Sequence, residues 1–285
     1  AIGANATSSN ISSIAFGHNA TATGRESIAQ GSRANATGDS SVAIGSSSQA
    51  TGFGAVSIKG AASGRESVSI GGSIATGDYA IAQGVDAKGY GNYSIAHGYL
   101  ANASGEYSIA QGVWSNATGH QSISIGNASN VTGNQSIGIG VGNQVHGHNS
   151  GAFGDPSVIN ANASYSVGNN NTLAAGQTGV FALGNDISTT TNNSVFLGSN
   201  TAYTAADSNT TAGLSGTGTV GVISVGNISA NERRRIQGVA EGLVSENSTD
   251  AVTGAQLYNV SKNSVKYFGV NSTATGNRDG SGAVG

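Results

Sequence analysis

The sequence predicts an all-β fold, a parallel β-roll whose coils take about fourteen residues each. A five-residue alternating segment that ends in glycine returns every fourteen residues, and a second glycine lies about half a period further on. The clearest run of segment-closing glycines is Gly84, Gly98, Gly112, Gly126, Gly140, Gly154 and Gly168. Two glycines per repeat indicate two turns, so each repeat is strand, turn, strand, turn, and it is stable only when neighbouring repeats cover it.

Each strand of a repeat has a bulky face and a small face. In Ser94-Ile95-Ala96-His97-Gly98 and its copies, positions one and three are Ser or Ala, position two is Ile or Val, and position four is usually Ile, Phe, Val or Gln. Successive side chains of a strand point to opposite faces, so this alternation separates bulky from small residues. A second alternating segment, such as Ala101-Asn102-Ala103-Ser104, precedes the second glycine. Stacked repeats then pair each strand with its copy in the next coil, about 4.8 Å away.

A roll this thin predicts oligomerisation. Two short strands enclose little volume, and leaving a row of Ile and Val in water costs about 1.5 to 3 kcal/mol per side chain. We therefore infer that the small residues fill the roll and that the bulky face packs against sister chains around an axis. Position four accepts Gln83, His97 and Gln111 as well as Ile125 and Phe153, which suits a central channel. The alternative is the reverse assignment, with the bulky face inside the roll.

The core is predicted to become larger toward the C-terminus. Five residues after each segment-closing glycine, successive coils carry Ala103, Ala117, Val131, Val145, Ile159 and Leu173. Gly151 stands two residues before Phe153 on the same face, which we interpret as compensation of a large residue by a small one.

Composition excludes several classes of function. The net charge is -3, only 9% of residues are charged, and no basic run is long enough to follow a phosphate backbone, so no nucleic-acid partner is expected. No apolar stretch approaches the roughly 20 residues that a membrane-spanning helix needs. Cysteine is absent, which excludes disulfides and thiolate metal sites. The acidic residues are scattered singly, without the clusters of polysaccharide-cleaving β-helices or the repeated Asp of calcium-binding rolls. We therefore expect no enzyme and no cofactor.

The periodic pattern ends after Gly198 and gives way to motifs of a known family. Residues 199–219 are rich in Thr, Ala, Ser and Asn and are interpreted as a long loop. Then follow Val222-Ile223-Ser224-Val225-Gly226-Asn227, Glu232-Arg233-Arg234-Arg235-Ile236, Val239-Ala240-Glu241-Gly242, and Asp250-Ala251-Val252-Thr253-Gly254-Ala255-Gln256-Leu257. These motifs resemble the neck of trimeric autotransporter adhesins, and the Ser-Ile-Ala-x-Gly repeats resemble the YadA-like head of the same family.

The resemblance implies a homotrimer of left-handed parallel β-rolls on the surface of a Gram-negative bacterium. It divides the chain into a head (1–200), an excursion (201–219), a neck (220–260), and the start of a coiled coil with a connector to a further head or stalk segment (261–285). It implies that only parts of the parent protein outside this chain, including a C-terminal anchor domain, meet the outer membrane. The neck and trimer residues that it implies are Arg233, Arg234, Arg235, Ile236, Val239, Asp250, Val252, Gln256 and Leu257.

The function implied by the resemblance is non-enzymatic adhesion. The head is expected to bind host extracellular matrix proteins, host cell-surface receptors or other bacteria. Binding between cells of the same bacterium would be self-association. The alternatives are a phage-like trimeric fibre and an ice-binding β-roll, although the positions that would need a regular rank of Thr vary among Ala, Asn, Ser and Thr.

Aromatic residues form the candidate ligand contacts. Tyr90, Tyr93, Tyr99, Tyr107 and Trp114 fall within about two coils, and Tyr and Trp are enriched at binding hot spots. For Trp114 the alternative is a simple rim contact.

Three other motifs are interpreted as structural. His146 and His148 share one side of a strand, but no carboxylate or third histidine shares their repeat, so no metal site is predicted. The three consecutive arginines are expected to pair with Glu232, Glu241 and Asp250 rather than to bind an anion or a glycan. The repeated Asn-Ala-Thr/Ser triplets, at Asn19, Asn35, Asn102 and Asn116, are assigned to turn chemistry at the coil corners rather than to glycosylation.

Overall fold

The computed structural model describes residues 1–203 and 221–263. The chain divides into two units, one from Ala1 to Arg233 and one that begins at Arg234, and each is described by itself. In the first unit, alternate strands belong to two facing parallel sheets, so every coil contributes one strand to each sheet. The predicted parallel β-roll is confirmed.

The two sheets differ in the length and composition of their strands. Sheet A contains the glycine-closed segments, which have Ile or Val at position two except in three strands that have Gly151, Tyr165 and Phe181 there: β2 (Ile14–Phe16), β4 (Ile28–Gln30), β6 (Val42–Ile44), β8 (Val56–Ile58), β10 (Val68–Ile70), β12 (Ile81–Gln83), β14 (Ile95–His97), β16 (Ile109–Gln111), β18 (Ile123–Ile125), β20 (Ile137–Ile139), β22 (Gly151–Phe153), β24 (Tyr165–Val167), β26 (Phe181–Leu183), β28 (Val195–Leu197) and β29 (Ile223–Ser224). Sheet B contains β1 (Thr7–Ser8), β3 (Thr21–Ala22), β5 (Asn35–Ala36), β7 (Gln49–Ala50), β9 (Ala61–Ala62), β11 (Ile74–Ala75), β13 (Lys88–Gly89), β15 (Asn102–Ala103), β17 (Asn116–Ala117), β19 (Asn130–Val131), β21 (Gln144–Val145), β23 (Ser157–Ile159), β25 (Asn171–Leu173) and β27 (Ser188–Thr189).

Strand pairing follows the sequence period. Ile95 pairs with Ile109 and His97 with Gln111, so equivalent residues of successive coils lie side by side. Where the period slips, the turn absorbs the change: Val56–Ile58 still pairs in register with the strands on both sides, while Lys59 takes the left-handed turn conformation at φ 58°. Register is therefore kept in both sheets although the coils differ in length.

The small residues fill the space between the sheets. Ala96 and Ala103 are completely buried, whereas Ile95, from the same strand as Ala96, is 38% exposed on the outer face of sheet A. The inference that small residues point inward is confirmed, and the reverse assignment is wrong for the single chain.

The core widens toward the C-terminus as predicted. Every member of the series from Ala103 to Leu173 is fully buried. The enlargement in sheet B is matched by a glycine in sheet A, because a Cβ on Gly138 would lie 2.7 Å from Cγ2 of Val131. Gly151 leaves room chiefly for the ring of Tyr165 in the next coil, which is nearer to it than the ring of Phe153. The compensation predicted within one strand therefore acts mainly between neighbouring strands.

The two glycine series are required for different reasons. Gly98 has φ +134°, a conformation that side chains rarely adopt, and a Cβ there would lie 2.5 Å from the carbonyl oxygen of Gly112. Gly105 has no such backbone constraint, but a Cβ on it would collide with the carbonyl group of Gly119 in the next coil. At both turns successive coils approach too closely for any side chain.

The roll does not end with its last regular repeat. Strand β29 pairs in parallel with β28, with Ile223 beside Val195, so sheet A gains one more strand after Leu197. The predicted excursion at 201–219 lies mostly outside the described residues.

The second unit contains a helix, α1 (Gly254–Asn263), whose start is fixed by a capping box. The side chain of Thr253 accepts the N–H of Gln256 at 3.2 Å, and Oε1 of Gln256 accepts the N–H of Thr253 at 3.0 Å. Gln256 also accepts the N–H of Gly242 and donates to its carbonyl. This explains why a Thr-x-x-Gln sequence begins the helix. Within the described residues, no helix is both long and apolar enough to cross a membrane.

The close approach of the turns predicts the effect of a single methyl group. Gly105→Ala is expected to destabilise the roll by about 1 to 3 kcal/mol per chain, since the new Cβ must push the adjacent coil away. Ser104→Ala, one residue earlier on the outer face of sheet B, is the matched control. Thermal unfolding followed by circular dichroism compares the two, and equal midpoints would contradict the steric argument.

Candidate functional site

The roll offers four surfaces to its surroundings: the outer faces of sheets A and B, and two edges made of turns. Edge 1 contains the turns that lead from sheet A to sheet B, such as Gly98–Leu100. Edge 2 contains the turns that lead from sheet B to sheet A, such as Gly105–Tyr107. The predicted contact residues are distributed over several of these surfaces.

Edge 2 carries a stack of three tyrosines from successive coils. Tyr79, Tyr93 and Tyr107 occupy the same turn position, each with φ close to +58°. The ring centroids of Tyr79 and Tyr93 are 4.9 Å apart with an interplanar angle of 7°, and Tyr93 and Tyr107 repeat this geometry. The backbone is held by bonds between coils, as the N–H of Tyr93 donates to the carbonyl of Asp78 at 2.8 Å. We name these three residues the tyrosine stack.

One end of the tyrosine stack is closed by a histidine. The His120 ring meets the Tyr107 ring edge-on, with centroids 5.9 Å apart and an angle of 88°. His120 Nδ1 lies 3.6 Å from a carboxylate oxygen of Glu106, and both side chains are about half exposed, at 44% and 48%. A contact this exposed between an imidazole and a carboxylate contributes at most about 1 kcal/mol even when the imidazole is charged.

Edge 1 carries the other aromatic residues beside exposed aliphatic ones. Tyr99 stands between Val85 and Val113 of the neighbouring coils, and Trp114 takes the next turn position. All four are exposed, and Trp114 is the most exposed at 57%. Edge 1 therefore carries an apolar patch at these four residues, on the opposite side of the roll from the tyrosine stack.

The five predicted aromatic residues therefore do not share one surface. Tyr93 and Tyr107 belong to the tyrosine stack, Tyr99 and Trp114 lie on edge 1, and Tyr90 follows a strand of sheet B. Sequence reasoning missed Tyr79 and His120, which complete the stack. The missed signal was the turn pattern Gly-x-Tyr at Tyr79, Tyr93 and Tyr107, with each tyrosine two residues after a glycine and fourteen residues from the next.

The outer face of sheet B carries a ladder of asparagine amides. Asn102 donates to Asn116, and Asn116 to Asn130, both at 2.7 Å. The assignment to coil corners is wrong for Asn35, Asn102 and Asn116, which lie in strands, and right for Asn19, which lies in a turn at φ 55°. Turn chemistry does hold at edge 2, where Asn92 accepts the backbone N–H of Asp78 at 2.9 Å.

The outer face of sheet A is mostly apolar. Residues at positions two and four of its strands include Ile14, Phe16, Ile81, Ile95, Ile139, Phe153, Phe181 and Leu183, all of them exposed. Polar side chains interrupt position four at Gln30, Gln83, His97 and Gln111. Among the described residues of a single chain, none covers this face.

The two histidines at 146 and 148 have separate partners. A ring nitrogen of His146 lies 2.8 Å from the hydroxyl of Thr132, and Nδ1 of His148 accepts the backbone N–H of Asn134 at 3.0 Å. Among the described residues of one chain, no group of three or more His, Asp and Glu could hold a metal ion.

Three polar neck residues make hydrogen bonds near their own place in the fold. Arg233 donates to the side chain of Asn231 at 2.6 Å, and Glu232 accepts from Asn200 at 2.9 Å. Asp250 accepts the backbone N–H of Leu243 at 2.8 Å. Glu232 thus binds an amide and Asp250 a backbone N–H, and the ion pairs with the arginines stay a prediction.

The apolar neck residues are unburied. Ile236, Val239, Val252 and Leu257 are all exposed, and helix α1 buries none of its side chains.

The comparisons with known proteins identify both parts of the chain. A family model described as the YadA head domain repeat matches residues 1–20, 22–48, 75–101 and 103–129. A second, described as the coiled stalk of trimeric autotransporter adhesin, matches residues 235–280. Together these matches cover more than half of the 285 residues.

The remaining comparisons add a distant structural likeness. Among solved structures, the crystal structure of the collagen-binding domain of Yersinia adhesin YadA matches with 20% identity and a TM-score of 0.38. The match covers 67% of this chain and 86% of that one. The comparison with curated protein sequences gave no match.

The tyrosine stack predicts a measurable contribution to stability. Tyr93→Asn removes both stacked pairs and should cost about 1 to 3 kcal/mol, given roughly 0.5 to 1.5 kcal/mol per aromatic pair. Trp114→Asn is the matched control, because Trp114 has the same left-handed backbone at φ 56° and no ring partner among the described residues. Asn favours that backbone at both sites. If Tyr93→Asn unfolded no more easily than Trp114→Asn, the stack would contribute nothing.

Proposed function

Because this chain belongs to the trimeric autotransporter adhesins, we propose that it forms the head of a homotrimer that attaches its cell to host protein surfaces through the tyrosine stack. Adhesion without catalysis is the role of the family, and its members are cell-surface proteins of Gram-negative bacteria. The observation that carries the proposal is the ordered row of exposed aromatic rings on edge 2.

The proposed assembly places the outer face of sheet A between the three chains. Homotrimers are the state of this family, and the apolar rows of sheet A are the longest uncovered apolar surface of the described roll. Burying these rows stabilises the assembly by about 25 cal/mol for each Å² of apolar surface removed from water. The trimer thus supplies the core that a roll filled with Ala and Ser lacks.

The tyrosine stack suits a protein ligand. Tyrosine presents a rigid apolar ring and a hydroxyl that can both donate and accept hydrogen bonds, and stacking fixes the rings before any ligand arrives. A surface that is already ordered loses little entropy on binding. Three chains would present three such rows, so weak contacts would add through multivalency. We name extracellular matrix proteins and cell-surface receptors of the host as the class of ligand.

The second unit is proposed to begin the stalk. Leu257 and Val260 lie three residues apart on helix α1, and both are about 65% exposed. Such spacing is that of the apolar positions of a coiled coil. We assign this seam to contact with the same helix of two sister chains, and attachment to the outer membrane to parts of the parent protein outside this chain.

Ice binding has weaker support. Thr23, Thr37 and Thr51 share one column beside sheet B, and the column continues with Ser63, Thr76 and Tyr90. The flat, regular threonine face that ice binding needs is thus interrupted after three coils.

The assembly predicts that a charge on sheet A disrupts the trimer. Ile95→Asp would bury one carboxylate per chain, at a cost of several kcal/mol each. We expect sedimentation equilibrium to show loss of the trimer. The control is Thr118→Asp, an exposed position next to a strand of sheet B, which should stay trimeric. A wild-type monomer, or an Ile95→Asp trimer as stable as the wild type, would exclude the proposed packing.

The adhesive role predicts a difference between the two edges. Replacing Tyr79, Tyr93 and Tyr107 by Ser should weaken attachment to immobilised collagen, fibronectin or laminin, or to cultured host cells, by at least about tenfold, equivalent to 1.4 kcal/mol. The matched variant changes Tyr99 and Trp114 to Ser on edge 1 and should bind as the wild type does. Binding lost only in the edge 1 variant would move the contact to that edge, and full binding by both would refute the aromatic hypothesis.

A further inference from the structure

Three polar residues interrupt the apolar face of sheet A in consecutive coils. Gln83 pairs with His97, and His97 with Gln111, in direct register along the sheet. The same column carries Ile70 before them and Ile125 after them. Position two of these strands stays isoleucine throughout, so the polarity is confined to one column.

These three side chains have no partner in their own chain. All three are exposed, and within the described residues none of them makes a side-chain hydrogen bond or an ion pair. Three of the other four histidines are engaged: His120 with Glu106, His146 with Thr132, and His148 with Asn134. His97 lies on the apolar outer face of sheet A. In the proposed trimer, its imidazole therefore faces the sister chains.

Burying Gln83, His97 and Gln111 in an interface without giving their side chains hydrogen-bond partners would cost free energy. An amide or imidazole moved from water into an apolar interface loses about 1 to 3 kcal/mol if it finds no partner. A closed threefold assembly brings each residue near the axis next to its own two copies. A column of Gln, His and Gln would therefore become three polar rings, stacked about 4.8 Å apart between rings of isoleucine.

We propose that His97 from three chains forms a binding site for a divalent transition metal, Zn²⁺ in the first place, which no single chain contains. The inference rests on the packing of sheet A proposed above. Imidazole suits zinc, and three histidines with a water molecule complete its preferred fourfold coordination. The site is assembled by symmetry, so it is invisible as a cluster in one chain.

The neighbouring glutamines fit the surroundings of such a site. A metal-bound imidazole usually donates its second ring N–H to an oxygen that fixes its orientation. Gln83 and Gln111 stand one coil to either side of His97 in register, and each carries an amide oxygen that could accept that N–H in the trimer. Ile70 and Ile125 close the polar segment at both ends, which restricts the exchange of bound metal with solvent.

Zinc titration of the full 285-residue chain tests the site. After treatment with a chelator and its removal, isothermal titration with zinc chloride should give one bound metal per three chains, and zinc should raise the unfolding midpoint because it binds only the assembled state. His97→Gln should abolish both effects. This variant continues the glutamine column already present at Gln83 and Gln111, so it is the least disruptive change. His18→Gln removes an exposed histidine on edge 1 and should bind zinc as the wild type does.

Sedimentation equilibrium on every variant separates this inference from the assembly. A trimer that binds no zinc, or whose binding survives His97→Gln, would overturn the metal site and leave the proposed trimer intact. A monomeric wild-type chain would overturn both. Loss of zinc binding in a His97→Gln protein that is still a trimer supports the site directly.

Discussion

The fold depends on hydrogen bonding between each coil and its copy in the next. The N–H of Asn102 donates to the carbonyl of Ser115 at 2.8 Å, and equivalent bonds tie the turns, where Tyr93 bonds to Asp78. Because the copies lie only about 4.8 Å apart, backbone meets backbone at both turns and excludes a Cβ. The glycine period of the sequence is thus a direct consequence of the hydrogen-bond ladder. A methyl group at Gly105 would collide with the next coil and push the two coils apart.

The same ladder determines where the apolar residues go. In the middle coils, the two strands leave space between the sheets for Ala96 and Ala103 but not for larger side chains. From Val131 onward the space widens, helped by Gly138, until it holds Leu173 and Phe196. The bulky half of the alternation must then face outward, on sheet A. A roll of this width buries little apolar surface in its core, since small cores leave much of the favourable burial unused. This favours the proposed trimer, in which assembly completes the burial that folding of one chain begins.

The sequence alone predicts the features that depend on the fourteen-residue period and on the alternation within each strand. It predicted the two turns, the inward alanines and the growth of the core up to Leu173, because each is a property of one repeat. It could not show which tyrosines touch, because Tyr93 and Tyr99 are close in sequence but lie on opposite edges. Nor could it place Asn102 in a strand rather than a corner, or show that the room at Gly151 serves a ring in the next coil. These features belong to contacts between repeats.

In-register stacking also restricts which side chains can repeat. A residue that recurs every coil lies beside its own copy, and like charges placed so are destabilising. Amides avoid this because each one both donates and accepts, as along Asn102, Asn116 and Asn130. Aromatic rings avoid it by stacking, as Tyr79 does on Tyr93. Where charge occurs at edge 2, the sign alternates: Arg65 precedes Asp78, whose carboxylate accepts the arginine's backbone N–H at 2.9 Å. The low content of charged residues, 9%, agrees with this repulsion between like charges in register. Aromatic rings and amides can recur in every coil without such repulsion, and they therefore form the rows on the surface of the roll.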